Sequence, residues 1–299
     1  MPTHSAPHVR FWDVTSADGT RLRAWTTGGD GPTVLLCNGL GTNPYAWPGF
    51  LGADQDVRVV SWNHRGVGGS ARPDDPARVD MDAFVEDALA VADAAGIESS
   101  VVIGWSMGVN VAFELAVRHP ERVKGLLAVA GVPGDTFSTM LAPYRLPRPV
   151  VKAAMVSFAR LGSQVGRTWN PVTQRIAWVP GFMSVLRHSG FMLPSASPED
   201  ARLAVREFMT TDAAWYGHLA LSAARHARVS LSRIGVPTTF VAGRWDVLAG
   251  ARDMSSAADR MPDATYVELP GTHFLPLERP AEINAELHRL IARVEHASA

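Results

Sequence analysis

For about the first 130 residues, buried-strand patterns alternate with amphipathic-helix patterns; then the alternation stops. Val9 to Thr15 and Leu22 to Thr27 read as two strands joined by the turn signal Ala17-Asp18-Gly19-Thr20. Thr33 to Cys37, Val57 to Trp62, the β-branched run from Val101 to Ile103, and Val123 to Ala130 are short apolar runs without polar alternation. Such runs fit strands covered on both faces. Between them, Asp80 to Ala95 carries Phe84, Ala88 and Ala92 at helical spacing, with Asp80 as cap and Gly96 as stop. Met107 to Arg118 places Val111, Leu115 and Ala116 inward and stops at His119-Pro120. The order strand, helix, strand, helix predicts a parallel sheet with helices on both faces.

From Gly131 to about Arg233 only helical patterns and breaks are found. Val150 to Leu161 is strongly apolar, a helix opens at Ser197-Pro198-Glu199-Asp200, and another runs from Asp212 to about His226. The sheet pattern resumes at Pro237 to Ala242. Met254 to Met261 are helical, Thr265 to Leu269 form a last strand, and Pro280 to Val294 align Ile283, Leu287, Leu290, Ile291 and Val294 on one face. The expected organisation is a core in two pieces, 1–132 and 234–299, with a helical cap inserted at 133–233.

Composition narrows the class. Hydrophobic residues make up 46% of 299 positions, enough for a sizeable core. A formal charge of −1 gives no global field to recruit nucleic acid or an anionic membrane. Cys37 is the only cysteine, so an intrachain disulfide and a cysteine zinc cluster are both excluded. His188, His218 and His226 are scattered and suggest no metal site. Met1 to His8 lacks the basic start and apolar run of a signal peptide, and no apolar stretch is long enough to span a bilayer. The expectation is a cytoplasmic protein without metal or cofactor, without nucleic acid and without stable membrane insertion, acting on a small molecule. Composition leaves the oligomeric state open.

The candidate chemistry sits at strand ends. Gly104-Trp105-Ser106-Met107-Gly108 lies between a strand and a helix, the context of a nucleophile elbow. Its glycines remove side chains that would collide in so tight a turn. A serine hydroxyl needs a base, and a histidine with an acid partner supplies one at neutral pH. Asp246 follows one later strand and His273 the last, so both fall where open α/β sheets build their sites. The Leu40 amide, in Asn38-Gly39-Leu40-Gly41, and the Met107 amide are the expected oxyanion donors. The Gly-rich run Asn63 to Ser70 lacks the Gly-Lys-Ser/Thr of a phosphate loop, and His64 reads as a loop hydrogen-bonder.

Together these motifs resemble those of the α/β-hydrolase superfamily with a helical cap, close to the esterase, lipase and cofactor-free haloperoxidase group. The resemblance rests on Asn38-Gly39-Leu40-Gly41, Arg65-Gly66-x-Gly68-x-Ser70, Gly104-x-Ser106-x-Gly108, His119-Pro120-Glu121-Arg122-Val123, Gly243-x-x-Asp246 and Gly271-x-His273. It implies the α/β-hydrolase fold and a serine hydrolase acting through an acyl-enzyme, with Ser106, Asp246 and His273 as triad. Asn38 stands where the family often has His, and Asn63 where it often has Asp. Serine at the elbow argues against the haloalkane dehalogenase and epoxide hydrolase branches, which use a carboxylate. Some relatives carry the acid one strand earlier, where Asp135 lies.

The apolar cap suggests a lipophilic ester or related acyl substrate, with Trp105, Met155, Phe158, Phe182, Met183 and Trp215 as pocket residues. Three alternatives stay open. They are acyl transfer to peroxide or another acceptor, carbon–carbon hydrolysis of a diketone, and a non-catalytic binding protein or receptor.

Overall fold

A computed structural model describes residues 9–52 and 56–298; the N-terminal stretch read above for targeting lies outside them. Eight strands form one sheet: β1 Val9–Thr15, β2 Arg21–Thr27, β3 Thr33–Cys37, β4 Arg58–Trp62, β5 Ser100–Trp105, β6 Val123–Val129, β7 Thr238–Gly243 and β8 Ala264–Leu269. Their order is β1-β2-β4-β3-β5-β6-β7-β8. β1 pairs antiparallel with β2, and β2 antiparallel with β4; every later pairing is parallel.

The helices outside the 133–233 segment are α1 Met81–Ala94, α2 Met107–Arg118, α8 Ala251–Ala258, α9 Leu275–Glu278 and α10 Pro280–Ser298. Between β6 and β7 lie α3 Thr136–Thr139, α4 Arg148–Ile176, α5 Phe182–His188, α6 Pro198–Phe208 and α7 Ala213–Ala223, with no strand among them. The expected strand limits hold to within two residues and α2 matches to the residue, but α8, expected over Met254 to Met261, lies three residues earlier in the chain. Asp80 caps α1 by accepting from the Ala83 amide at 2.9 Å.

Strand alternation sorts the core into two layers. Leu35, Val102, Leu126 and Phe240 pack with α1, α2 and α8 on one face. Val34, Ile103, Leu127 and Val241 pack with Trp47, Phe50 and the Ile283–Leu287–Leu290 stripe of α10 on the other. Strand β3 has neighbours β4 and β5 on opposite sides, so the chain order reverses there. In a parallel sheet this switch point opens a crevice at the carboxyl ends of the two strands. The Asn38–Gly41 loop and Ser106 follow those two ends.

The loop after β4 is fastened from below. Arg65 is fully buried and forks onto Asp87 of α1, Nε to Oδ2 at 2.8 Å and Nη2 to Oδ1 at 2.6 Å. Its remaining donors reach Ser16, Asp18 and the Arg78 carbonyl. Asn63, where the family often has Asp, donates to the Gly68 carbonyl at 2.7 Å and so serves the loop turn.

Candidate active site

Ser106 stands between β5 and α2 with φ 55° and ψ −120°, a region that only a forced turn imposes on a side-chain-bearing residue. The two glycines permit it. A Cβ on Gly104 would lie 2.6 Å from the Val109 Cα, and one on Gly108 1.9 Å from the Cys37 carbonyl oxygen. The first contact is with the helix, the second with the strand next door.

Three side chains from three strand ends meet here. His273 Nε2 is 2.8 Å from Ser106 Oγ, and His273 Nδ1 is 2.9 Å from Asp246 Oδ2. An ionised carboxylate only accepts, so Nδ1 carries the proton and Nε2 is left to accept from the serine. Asp246 is 1% exposed, and its other oxygen accepts from the Leu248 and Ala249 amides at 2.7 and 2.8 Å.

The histidine is braced on two sides. Trp105 Nε1 donates to the His273 carbonyl at 3.0 Å. The buried Glu278 carboxylate accepts from the Thr272 amide and hydroxyl, both at 2.7 Å, and from the Leu193 amide at 2.8 Å. Sequence reasoning passed over Glu278; its only signal was a carboxylate directly after the apolar Leu275-Pro276-Leu277 run.

Asp135 lies elsewhere. Its carboxylate takes Lys152 Nζ and the Ser138 hydroxyl, each at 2.7 Å. Burial alone would raise its pKa, but these two donors hold it below the usual value.

The loop after β3 abuts the elbow. A Cβ on Gly39 would be 3.5 Å from the Ser106 Cβ. Thr42 closes a turn onto the Gly39 carbonyl at 3.1 Å, and Gly41 has φ +72°, as a type II turn demands of its third residue. That turn does not use the Leu40 amide. The Met107 amide is the first of α2, one of four that a helix leaves without an internal partner.

Asn38 braces this loop through its side-chain oxygen, which accepts from the Gly39 amide and Trp47 Nε1 at 3.0 Å each. His64 Nε2 donates to the Asn38 carbonyl at 3.1 Å. His64 is therefore the loop hydrogen-bonder that its position suggested. Burial pushes its pKa down to about 4 despite that bond.

Helix α7 lies across the carboxyl edge above these loops. Trp215 donates from Nε1 to the Arg65 carbonyl at 2.7 Å and fills the space a Gly66 side chain would need. The Tyr216 ring and the Phe208 ring cover Gly41. Beyond its C-terminal end the His226 carbonyl accepts from the Asp135 amide at 3.2 Å. One helix thus spans the loops that follow β4, β3 and β6. Tyr216, absent from the sequence-based pocket, faces the Leu40 turn more directly than its neighbour Trp215.

Of the other expected pocket residues, Trp105 is 2% exposed and packs edge-on against Trp47 beside His273. Met155 is half-buried, packed with Leu40, Phe137 and Met140. Met183 is buried and Phe182 half-buried, in the cluster that contains Trp105. Phe158 requires correction: it is 74% exposed. Val151, Ala159 and Gly166 form the buried face of α4, and Phe158 falls on another side of the helix.

A family model described as the alpha/beta hydrolase fold matches residues 32–280. The chain is 25% identical over 293 residues to 3-oxoadipate enol-lactonase 2 of Acinetobacter baylyi, covering 96% of this chain and 99% of that one. It is likewise 25% identical over 321 residues to epoxide hydrolase A of Mycobacterium tuberculosis, covering 97% and 99%. Among solved structures, a putative aryl esterase from Burkholderia cenocepacia superposes with a TM-score of 0.73 at 20% identity, covering 96% of this chain and all of the other. With the sheet order, the elbow and the family match in agreement, the chain belongs to the alpha/beta hydrolase fold family and is an enzyme of the hydrolase kind.

Proposed function

We propose that this enzyme hydrolyses a lipophilic carboxylic ester or related acyl compound through a Ser106 acyl-enzyme. The observation that carries the reading is the unbroken hydrogen-bond chain Ser106–His273–Asp246, at 2.8 and 2.9 Å. As Ser106 Oγ attacks the carbonyl carbon, its proton passes to His273 Nε2. The Asp246 carboxylate holds the ring in the accepting tautomer and stabilises the imidazolium. The Leu40 and Met107 amides receive the oxyanion, where preorganised donors contribute most in a water-poor site. His273 then protonates the leaving alcohol, and water repeats the sequence to release the acid. None of these steps calls on a cofactor.

The lipophilic preference draws support from two apolar groups around the nucleophile. Leu40, Phe137, Met140 and Met155 lie on one side. Trp105, Phe274 and Phe191 form the other, with Phe191 stacked edge-on against Phe274 at 5.1 Å. In this reading 133–233 is the cap that sets acyl preference. The enol-lactonase relative acts on a lactone by name, which is an internal ester. The epoxide hydrolase relative suggests a different reaction, but a serine at the elbow suits acyl transfer.

The test is a panel of p-nitrophenyl esters of graded acyl length. Each added methylene should raise kcat/KM about fourfold until the pocket is full, given about 0.8 kcal/mol per buried CH₂. Ser106→Ala should lower kcat on the order of 10⁶-fold and abolish labelling by an organophosphonate. A variant that keeps a tenth of the activity would defeat the triad reading. A monotonic decline from acetate onwards would defeat only the lipophilic one.

A further inference from the structure

The overall charge of −1 conceals a strong asymmetry. From Thr136 to Pro198 the sequence has no Asp or Glu and seven Lys or Arg residues, a local charge of +7. Two of the seven are neutralised by acids from elsewhere, Arg148 by Asp253 and Lys152 by Asp135. Among the described residues, Arg145, Arg160 and Arg175 have no acidic partner, and Arg167 feels the Asp212 carboxylate of the α7 cap only at longer range.

The same stretch holds most of the large apolar side chains that the protein exposes. On α4 they recur in steps of three and four once the helix is under way. Phe158 is 74% exposed, Leu161 56%, Trp169 57% and Val172 51%, with Val165 between them and Val150 at the start. That spacing draws one continuous stripe along a helix about 40 Å long. Trp178, 65% exposed, continues it just past the helix end. Exposed apolar surface of this extent marks an interaction site, and a helix pairing Trp, Phe and Leu on one side with arginines on the other suits a bilayer interface.

We propose that the outer face of α4 and the turn after it dock the enzyme on the surface of an anionic phospholipid bilayer. Charge complementarity selects this occupant. A second copy of the chain would bring three uncompensated arginines, and the partly compensated Arg167, against their own images, whereas anionic headgroups neutralise them. Among the described residues no helix is long and apolar enough to cross a membrane, so the contact is adsorption. The absence of a global field, inferred from composition, holds for the chain average alone. The stretch also reaches the site: Phe191, 40% exposed, stacks on Phe274, the neighbour of His273.

The test is co-flotation of the full chain with vesicles of phosphatidylcholine alone, or with about 30% phosphatidylglycerol added to supply surface charge. The enzyme should float with the anionic vesicles only, its tryptophan emission should shift to the blue, and binding should weaken as salt rises from about 0.1 to about 0.5 M. Arg160→Gln, Arg167→Gln and Arg175→Gln combined should lower partitioning about a hundredfold, at about fivefold per basic residue. Leu161→Ser with Val172→Ser should also weaken it. Both variants should keep the wild-type circular dichroism and the wild-type turnover of a soluble short-chain ester. Equal binding to neutral vesicles, or binding that the triple substitution leaves unchanged, would overturn the proposal. So would a concentration-dependent dimer in sedimentation velocity without vesicle binding, since the face would then belong to a second copy.

Discussion

Replacing Asp246 by asparagine tests the proposed chemistry at one atom. Asp246 Oδ1 already accepts the Leu248 and Ala249 amides, and an asparagine oxygen at that position keeps both bonds. The new NH₂ group must then point at His273 Nδ1, where the carboxylate oxygen stood 2.9 Å away. Two donors cannot face each other, so Nδ1 gives up its proton and accepts. The ring proton moves to Nε2, which now donates to Ser106 Oγ and cannot take its proton. The packing is undisturbed, but the base is lost. Such a tautomer error is worth on the order of 10⁴ in kcat, about 5.5 kcal/mol of transition-state stabilisation. Initial rates on a p-nitrophenyl ester, with circular dichroism as the folding control, measure it. Asp135→Asn is the paired control: it loses only contacts to Lys152 and Ser138 and should leave kcat within a few-fold. Asp246→Asn activity within tenfold of wild type, or a larger loss at Asp135, would refute the assignment.

Three further outcomes are expected. Arg65→Ala leaves the buried Asp87 carboxylate without its forked partner and should cost about 3–5 kcal/mol, read as a fall in urea midpoint at constant m; a loss below about 1 kcal/mol would mean that Asp87 is satisfied by other groups. Gly108→Ala forces the elbow away from the Cys37 carbonyl, so stability should fall by about 1–3 kcal/mol and kcat should suffer more than KM; unchanged kinetics would show that the elbow tolerates the shift. His64, neutral in the fold with its pKa near 4, takes up a proton near the ordinary 6.5 once unfolded. Its contribution is therefore complete above pH 6.5 and declines as pH falls towards 4, by about 3 kcal/mol in all. The slope of stability against pH in that window should flatten in His64→Gln, and an unchanged slope would refute it.

The inner strands β3 to β7 were readable because they are buried on both faces. An uninterrupted run such as Val34-Leu35-Leu36-Cys37 admits few other structures, and β3 matches its expected limits. The candidate site was readable because its parts sit on short motifs at strand ends, so topology alone carries Ser106, Asp246 and His273 towards one crevice. The helical segment was not readable to the same depth. Apolar spacing on α4 identifies a helix, but two apolar faces compete for burial there, and the one bearing Ala159 and Gly166 packs inward because α7 fits against it. Phe158, the bulkier residue, is left outside. Helix α4 also runs well past the apolar Val150–Leu161 stretch, to Ile176, and carries Pro171 in its interior, where a helix loses one backbone hydrogen bond. The supporting groups Glu278, Asn38 and His64 act through backbone amides and carbonyls, and such contacts leave no pattern in a single sequence.

Helices α4 and α7 meet backbone to backbone. A Cβ on Gly166 would lie 2.4 Å from the Ala214 amide nitrogen, and one on Gly217 2.5 Å from that of Ser163. Helices so close cannot slide past each other residue by residue; they move as one stiff plate. That plate covers Gly41 and is tied to the core where Val229 donates to the Pro133 carbonyl and Asp135 to that of His226. Ligand exchange beneath it would then be a rigid swing about 133–135 and 226–229 that breaks the Trp215–Arg65 and His218–Pro76 bonds holding α7 to the core, a motion of the microsecond-to-millisecond class. For an activated ester, whose chemistry is fast, turnover would be paced by that swing, and kcat would fall in proportion to solvent viscosity.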